Sequence, residues 1–404
     1  MMLKIAFRNI FRQRRRSVLT MLTMLGGFTL SAIAIAWSDG SYSYVIDSFT
    51  RNQLGHIQIH AKGYLDRPSL YRTVDDYEAV GGMVAKVEGV ASWTPRLYSS
   101  ALASVGDKSA GVRIIGIDPR RENTATRFDK KIIEGNAFSP APGHEAILGQ
   151  GLADVLKARL GDEVVLVSQG ADGSIANDLY NIVGIISSGD RISDQSALYL
   201  HLADAQELLV LEGRVHEIAI VGEELKTIDE VAVGIKAALH QPELVVETWK
   251  EFAAAFYRAM KADQQGSWIM VMIIVIVVAA GVLNTALMSV LERTREYGVM
   301  RALGTSSAQI FRLIVMEISI MALLSIAIAC LVSLAVNYGL SIQGITMPHT
   351  FTYGGVEFSK MYTEINARSF YIPTLAVLVS GILISTIPAA MAAKTAPARA
   401  MRVH

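Results

Sequence analysis

The sequence has 404 residues, of which 51% are hydrophobic and 18% are charged. This composition is too apolar for a typical soluble protein and too polar for a chain that lies entirely within a membrane. Basic and acidic residues each number 37, so the charge balance gives no support to a nucleic-acid-binding protein. The one cysteine excludes an intrachain disulfide framework, and the sequence contains no Walker A phosphate-binding motif.

Four apolar segments are long enough to cross a membrane as helices, which takes roughly 20 residues. They cover residues 17–37, 267–290, 313–338 and 370–393, and only the third carries a charge, at Glu317. The first two are separated by about 230 residues, enough for a folded domain. We therefore predict an integral membrane α-helical protein with four transmembrane helices and a large extracytoplasmic domain inserted between helices 1 and 2.

Lysine and arginine near the span ends predict the orientation, because they are enriched on the cytoplasmic side. They cluster in residues 1–16, in the 291–312 segment and in the 394–404 tail. Both termini should then be cytoplasmic, and the domain over residues 38–266 and the short 339–369 loop should face the periplasm of a bacterial inner membrane. A cleaved signal peptide is an alternative for the first span, although that span is longer than the usual 7–15-residue apolar region.

The large domain reads as α+β, because short strand-like runs such as "HIQIH" and "HEIAIVG" alternate with amphipathic helical stretches. Dense short strands and glycines over about 140–215 indicate an inserted β-rich subdomain. The polar helical pattern of residues 251–265 predicts a stalk that continues the second membrane helix outward.

Three polar residues of the first strand share one face, because side chains alternate along a strand. They are His56, Gln58 and His60. A metal site is one interpretation, but no cysteine or clear carboxylate completes it, and a solvent-facing or subunit-facing strand is the default. No catalytic set of nucleophile, base and carboxylate stands out, so we predict a non-catalytic chain without a bound metal or cofactor.

The charged segment "LERTREYGVMRALG", from Leu291 to Gly304, lies between the second and third spans. It can be a solvated loop with arginine side chains at the membrane boundary. It can also form a short helix that presents a compact charged surface to a cytosolic partner. Such a helix, joined rigidly to two spans, could transmit force.

Three motifs resemble those of FtsX/MacB/LolCE-type ABC transporter permeases, nearest in character to the lipoprotein-releasing LolCE-like group. The pattern N-x5-V-x-E-R-x-R-E-x-G-x-x-R-A-x-G runs from Asn284 to Gly304. The opening "AFRNIFRQRRRSVLTML" is similar to the family's amphipathic N-terminal helix and first span, and the ending "IPAAMAAKTAPARAMR" to its closing motif.

The resemblance implies roles for particular residues. The interface that couples the chain to an ATPase would comprise Glu292, Arg293, Arg295, Glu296, Gly298 and Arg301. The N-terminal helix on the membrane surface would use Arg8, Arg12, Arg14 and Arg15. A substrate cleft between the first two spans, or plain helix packing there, would involve Gly26, Gly27, Ala280, Gly281 and Asn284.

The resemblance also implies partners. Two copies of a cytosolic ABC ATPase would bind ATP and magnesium, and a second permease chain, identical or related, would complete the assembly with membrane lipids around it. The complex would convert ATP hydrolysis into periplasmic motion, and a lipoprotein or other hydrophobic envelope molecule would be extracted or exported. The alternatives are a regulator that moves a periplasmic partner, such as a cell-wall hydrolase activator, and an efflux component working with a periplasmic adaptor.

Glu317 is a carboxylate in a membrane span, where charge is costly and often functional. We expect it to pair with Arg301 or Arg312, or to hydrogen-bond to the second span. A structural role is favoured over a proton relay.

Overall fold

The computed structural model describes the backbone of residues 2–12, 14–353 and 356–394, and the side chains of residues 5–12, 14–51, 54–347 and 360–394. The chain divides into two compact units. The membrane unit comprises residues 1–43, 260–347 and 360–404, and the strand-rich unit comprises residues 44–259 and 348–359.

The helices are α1 (Met2–Arg12), α2 (Arg14–Phe49), α3 (Tyr77–Val84), α4 (Pro119–Thr126), α5 (Gln150–Leu156), α6 (Arg191–Asp194), α7 (Leu202–Leu209), α8 (Ile228–Leu239), α9 (Trp249–Phe252), α10 (Ala254–Glu292), α11 (Thr294–Ala302), α12 (Ser307–Gln343) and α13 (Arg368–Ala393). The strands are β1 (Ile57–Ala61), β2 (Val74–Asp75), β3 (Val90–Val105), β4 (Lys108–Ile117), β5 (Ile132–Gly135), β6 (Glu145–Gly149), β7 (Glu163–Gln169), β8 (Ile175–Ile186), β9 (Ala197–His201), β10 (Arg214–Val215), β11 (Glu217–Gly222), β12 (Leu244–Thr248), β13 (Ile345–Tyr353) and β14 (Val356–Met361).

Four helices of the described chain are long and apolar enough to cross a membrane, namely α2, α10, α12 and α13. An α+β unit lies between the first two of them in the sequence, which confirms the predicted fold class. The helices α2, α10 and α12 have 36, 39 and 37 residues, longer than the apolar segments alone. Hydropathy marks only the lipid-facing part of a helix, whereas its backbone hydrogen bonds can continue into water.

Aromatic packing accompanies the polar extensions of α2 and α10 inside the strand-rich unit. The rings of Phe49, at the end of α2, and Phe256, at the start of α10, stack with centroids 3.9 Å apart. Trp249 packs edge-on against Phe256 and Tyr257. In the stalk predicted over residues 251–265, α10 begins at Ala254, and the preceding Ala253 separates it from α9.

The strand-rich unit is built on one mixed ten-stranded sheet. Its order is β12-β1-β11-β3-β4-β9-β6-β8-β5, and β7 pairs with both β3 and β8. Most neighbours are antiparallel, but β4–β9 and β6–β8 are parallel. The strands assigned to an inserted β-rich subdomain are thus joined to the rest of the sheet by backbone ladders, through β4–β9 and β3–β7.

A buried arginine anchors α4 to this sheet. Arg96 is 4% exposed and donates to both Glu122 carboxylate oxygens, at 2.6 and 3.2 Å, and to Glu217 Oε1 at 3.0 Å. Thr94 and Thr126 also donate to Glu122. Charges buried this deeply are tolerated only when every partner is in place, so the cluster fixes where α4 sits against β3 and β11.

The polar face of β1 is buried, which makes the expectation of a solvent-facing or subunit-facing strand wrong. His56, Gln58 and His60 are 2%, 3% and 2% exposed, and the ring of Tyr64 stacks on that of His60 with centroids 5.3 Å apart. His60 contacts Gln58 Oε1 at 2.9 Å and the His216 carbonyl at 3.1 Å, and His56 Nδ1 accepts from the Gly222 amide. Burial, helped by the charge of Arg51, lowers the pKa of His56 to about 4.

Among the described residues, no three histidine, cysteine, aspartate or glutamate side chains are placed to hold a metal ion. The face of β1 is therefore a hydrogen-bonded part of the core.

Candidate functional site

The charged segment after α10 folds into the short helix α11, and its residues divide between two faces. Arg293, Tyr297 and Gly298 are buried against the rest of the membrane unit. Arg295, Val299 and Leu303 point outward, and Leu303 is 82% exposed. These outward residues recur every four positions, the spacing that places side chains on one helix face.

A carboxylate in the third span lies at the centre of the site. Glu317 is 8% exposed, and its Oε2 accepts from Arg293 Nη1 at 3.1 Å. Its Oε1 accepts from the side-chain amide of Asn9 at 2.5 Å. One carboxylate thus joins α12 to the start of α11 and to the N-terminal helix α1. We call Asn9, Arg293 and Glu317 the carboxylate node.

These partners correct the expectation that Glu317 pairs with Arg301 or Arg312. Arg293 is 24 positions away in sequence, and the turn between α10 and α11 brings its guanidinium over the first turns of α12. Arg301 instead donates to the carbonyl of Ala393, at 3.0 Å, and so contacts the last turn of α13. Charged groups in a low-dielectric setting are stable only with close partners, and the node supplies them.

Further ion pairs surround the node. Arg293 Nε donates to Glu296 Oε2 at 3.0 Å, and Glu296 Oε1 lies 3.4 Å from Arg12 Nη2. Arg16, in the first turns of α2, pairs with Glu292 at the end of α10. The ring of Tyr297 lies under the Arg293 guanidinium, 5.3 Å from its centroid. Burial raises the pKa of the Tyr297 hydroxyl above its ordinary value.

A cavity of about 40 Å³ adjoins the node. Its walls include polar groups from four helices, among them Asn9, Arg16, Thr285 and Ser289. A polar cavity of this size can hold one or two hydrogen-bonded waters. Polar side chains of α1, α2, α10 and α12 therefore meet around a small polar cavity, and among them Arg16 of α2 and Glu317 of α12 are charged.

The predicted ATPase-coupling residues are brought together but do not all face outward. Arg293 and Gly298 are buried. Glu292 and Glu296 form ion pairs with arginines of the same chain. Arg301 donates a hydrogen bond to the last turn of α13. Of the predicted set, Arg295 has its side chain exposed without an ion pair in the described part of the chain. The interface role of these residues stays a prediction, with Arg295 the best placed of them.

The small residues of the first two spans also divide into two groups. A Cβ at Gly27 would lie 1.9 Å from a Val278 methyl carbon, and one at Gly281 would lie 2.8 Å from Thr23. These two glycines therefore let α2 and α10 pack closely. Gly26 has nothing within 4 Å of such a Cβ, and Ala280 and Asn284 are exposed on the outer side of α10.

Sequence reasoning missed Asn9, Tyr297 and the inward direction of Arg16. Asn9 is a polar residue between Ala6 and Ile10, which are 0% and 5% exposed, on the packed face of α1. A polar side chain inside an apolar helix stripe predicts a buried partner, and an acid in a neighbouring span is the natural candidate. The pairing itself depends on the fold.

Comparisons with known proteins agree with this architecture. The model of the MacB-like periplasmic core domain matches residues 17–238, and that of the FtsX-like permease C-terminal domain matches residues 268–397. The lipoprotein-releasing system transmembrane protein LolC of Neisseria meningitidis serogroup B is 24% identical over 74% of this chain and 72% of its own length.

Two further matches concern MacB. The macrolide export ATP-binding/permease protein MacB of Campylobacter jejuni is 23% identical over 98% of this chain and 60% of its own length. The crystal structure of the periplasmic region of MacB from Actinobacillus actinomycetemcomitans covers 50% of this chain and 92% of that one, with 17% identity and a TM-score of 0.37.

The carboxylate node generates a stability prediction. Arg293→Ala should destabilise the chain by about 3–5 kcal/mol, because it leaves the buried Glu317 carboxylate without its charged partner. Glu317→Ala should destabilise it by a smaller amount, because Arg293 keeps its ion pair with Glu296. The double variant Arg293→Met/Glu317→Met should lower the free energy of unfolding by much less than the sum of the two single alanine variants. Arg12→Ala is the control, since an exposed ion pair contributes about 0–1 kcal/mol. Thermal unfolding of the full-length chain in detergent measures this, and a Glu317→Ala variant as stable as the parent would contradict it.

Proposed function

Because the chain belongs to the FtsX-like permeases and carries a MacB-like periplasmic core domain, we propose that this ABC transporter permease is driven by a separate cytosolic ATPase and converts ATP hydrolysis into motion of its periplasmic domain. The carboxylate node is the observation that supports this most directly. It joins α11, which bears an exposed face, to the N-terminal helix and to the third span.

The outward face of α11 is the proposed ATPase contact. Arg295 offers a charge that no described residue neutralises, Val299 is 43% exposed, and Leu303 ends the helix as an exposed apolar side chain. An apolar anchor beside a charge is typical of a protein interface. The buried face of the same helix holds Arg293, so a push on the outward side reaches α12 through a charge-assisted hydrogen bond.

In this proposal each of two ATPase copies binds ATP and magnesium and docks on the α11 of one permease chain. The termini and α11 then lie in the cytoplasm, in keeping with the arginines of residues 1–16 and 291–312. The permease itself would bind no cofactor. Its position in a bacterial inner membrane, with the strand-rich unit in the periplasm, follows from the same orientation.

A second permease chain, identical or related, would pack against the exposed side of α10. That side carries Ala280 and Asn284 one turn apart, among apolar side chains such as Val277, which is 65% exposed. An asparagine facing lipid is costly, whereas an asparagine facing another helix can hydrogen-bond to it. Small and polar residues at this spacing therefore favour a helix partner over bulk lipid.

The proposed cargo is a lipoprotein or another hydrophobic envelope molecule, extracted from the outer leaflet of the inner membrane. The similarity to LolC, a lipoprotein-releasing system transmembrane protein, supports this choice. Macrolide-type efflux with a periplasmic adaptor is the second candidate, because the similarity to MacB extends over 98% of the chain. Actuation of a periplasmic enzyme activator without any cargo is the third.

The coupling proposal predicts that Arg295→Glu with Leu303→Asp weakens ATPase association at least about ten-fold, because it removes the apolar anchor and reverses the exposed charge. Ala308→Glu, at an exposed position of the first turn of α12, is the matched control and should bind normally. Reversing the charges of Glu292 and Glu296 is a poorer test, because both carboxylates form ion pairs with arginines of the same chain.

The measurement is co-purification of the ATPase with each full-length variant at equal expression. Full ATPase recovery with the Arg295→Glu/Leu303→Asp variant would remove the assignment of this face.

The cargo proposal predicts that depletion of the chain leaves outer-membrane lipoproteins in the inner membrane. Membrane fractionation followed by lipoprotein detection measures this, with an integral β-barrel protein as the control for general envelope damage. Correct placement of every lipoprotein would contradict the lipoprotein cargo. Raised macrolide susceptibility under the same depletion would then favour efflux, and altered cell-wall turnover alone would favour actuation of a periplasmic partner.

A further inference from the structure

The residues on either side of the junction of α1 and α2 include three exposed arginines that pair with no acidic residue in the described part of the chain. Arg8, Arg14 and Arg15 are exposed, and none of them forms an ion pair with any residue that the structure describes. Arg16 differs, because it turns inward to Glu292. Arg12 makes only a loose pair with Glu296, with its side chain 72% exposed. The charges of Arg8, Arg14 and Arg15 are therefore exposed and have no ion-pair partner among the described residues.

Large apolar side chains lie beside these arginines. On α1, Phe7 and Phe11 are 50% and 54% exposed, with ring centroids 5.0 Å apart. On α2, Val18 and Leu22 are 47% and 55% exposed. The surface of a soluble protein rarely combines exposed large apolar side chains with unpaired arginines. A protein surface at the boundary between lipid and water commonly does.

The helix geometry places the charges directly next to the apolar face. At 100° per residue, Arg14 and Arg15 fall on the same side of α2 as Val18 and Leu22, about one to two turns away. On α1 the packed face holds Ala6 and Ile10, and Arg8 projects from the opposite side. The apolar strip of α2 is part of a membrane span, so the arginines above it lie at the level of lipid headgroups.

We propose that the α1–α2 junction is a binding site for an anionic phospholipid. Arg8, Arg14 and Arg15 bind the headgroup phosphate, whose negative charge is not balanced by a headgroup cation, and Phe7, Phe11 and Leu22 contact the acyl chains. Arginine is suited to this because its planar guanidinium donates two parallel hydrogen bonds to phosphate oxygens. A zwitterionic lipid offers the same phosphate but adds a cation that three arginines repel.

The test uses the full-length chain with Cys330→Ser and a fluorophore on Leu22→Cys, reconstituted in phosphatidylcholine vesicles with 20 mol% phosphatidylglycerol. Bromine atoms on the acyl chains of either lipid quench the label on contact. Per mole, brominated phosphatidylglycerol should quench about five-fold better than brominated phosphatidylcholine, the gain typical of one arginine near an anionic lipid. The preference should shrink at high salt, as charge screening requires.

In the variant Arg8→Gln/Arg14→Gln/Arg15→Gln, the ratio of quenching by brominated phosphatidylglycerol to quenching by brominated phosphatidylcholine should fall close to one. The corresponding triple lysine variant should retain most of the preference for phosphatidylglycerol. A label on Leu331→Cys, a position of α12 that is 71% exposed, is the matched control and should show a ratio near one throughout. A ratio near one at Leu22 in the parent chain would overturn the proposal. So would a preference that survives the triple glutamine variant.

Discussion

An ionised carboxylate buried in a membrane helix is stable only while its partners stay in place, and this constraint organises the end of the molecule that carries α11. Glu317 holds Arg293 and Asn9, which belong to segments 24 and 308 positions away. If the Arg293 contact opened, the Glu317 charge would remain unpaired in a low-dielectric site at a cost of several kcal/mol, and loss of the Asn9 contact would remove a hydrogen bond to that charge. The α1, α11 and α12 segments are therefore expected to move together.

This constraint explains why the family motif after the second span mixes charges with glycine. Arg293 and Tyr297 face inward and form the attachment, while Arg295, Val299 and Leu303 face outward. Gly298 is buried on the attached side, and Gly304 adopts a φ of +97°, which favours glycine where α11 ends. One short helix thus carries an internal anchor and an external contact surface on opposite sides.

The long spans complete the proposed path of motion. Gly27 and Gly281 allow α2 and α10 to pack closely, and both helices continue beyond their apolar segments. At the opposite end of the membrane unit, Asp39 accepts from Asn366 and Arg368, and Tyr42 donates to Asp263. Both ends of the spans are therefore tied by polar contacts, with apolar packing between them.

Much of this architecture was predictable from the sequence. Twenty or more apolar residues have few alternatives to a membrane helix, and the motif from Asn284 to Gly304 indicated the family. The faces of short elements were harder to predict. The polar side of β1 is buried through contacts with distant residues such as His216 and Gly222, and the partner of Glu317 depends on the turn that brings Arg293 back over α12. Such contacts join distant parts of the chain, and local patterns do not encode them.

The most direct test of the central claim is a distance measurement by pulsed electron paramagnetic resonance in the reconstituted permease–ATPase complex. Spin labels on Gln265→Cys and Ile342→Cys, both exposed and near the far ends of α10 and α12, report motion there in a Cys330→Ser background. We expect ATP with vanadate to shift this distance in the parent chain. In the Glu317→Gln complex we expect no shift, although the ATPase still binds and the nucleotide-free distance is unchanged. A shift of the same size in the Glu317→Gln complex would contradict transmission through the carboxylate node.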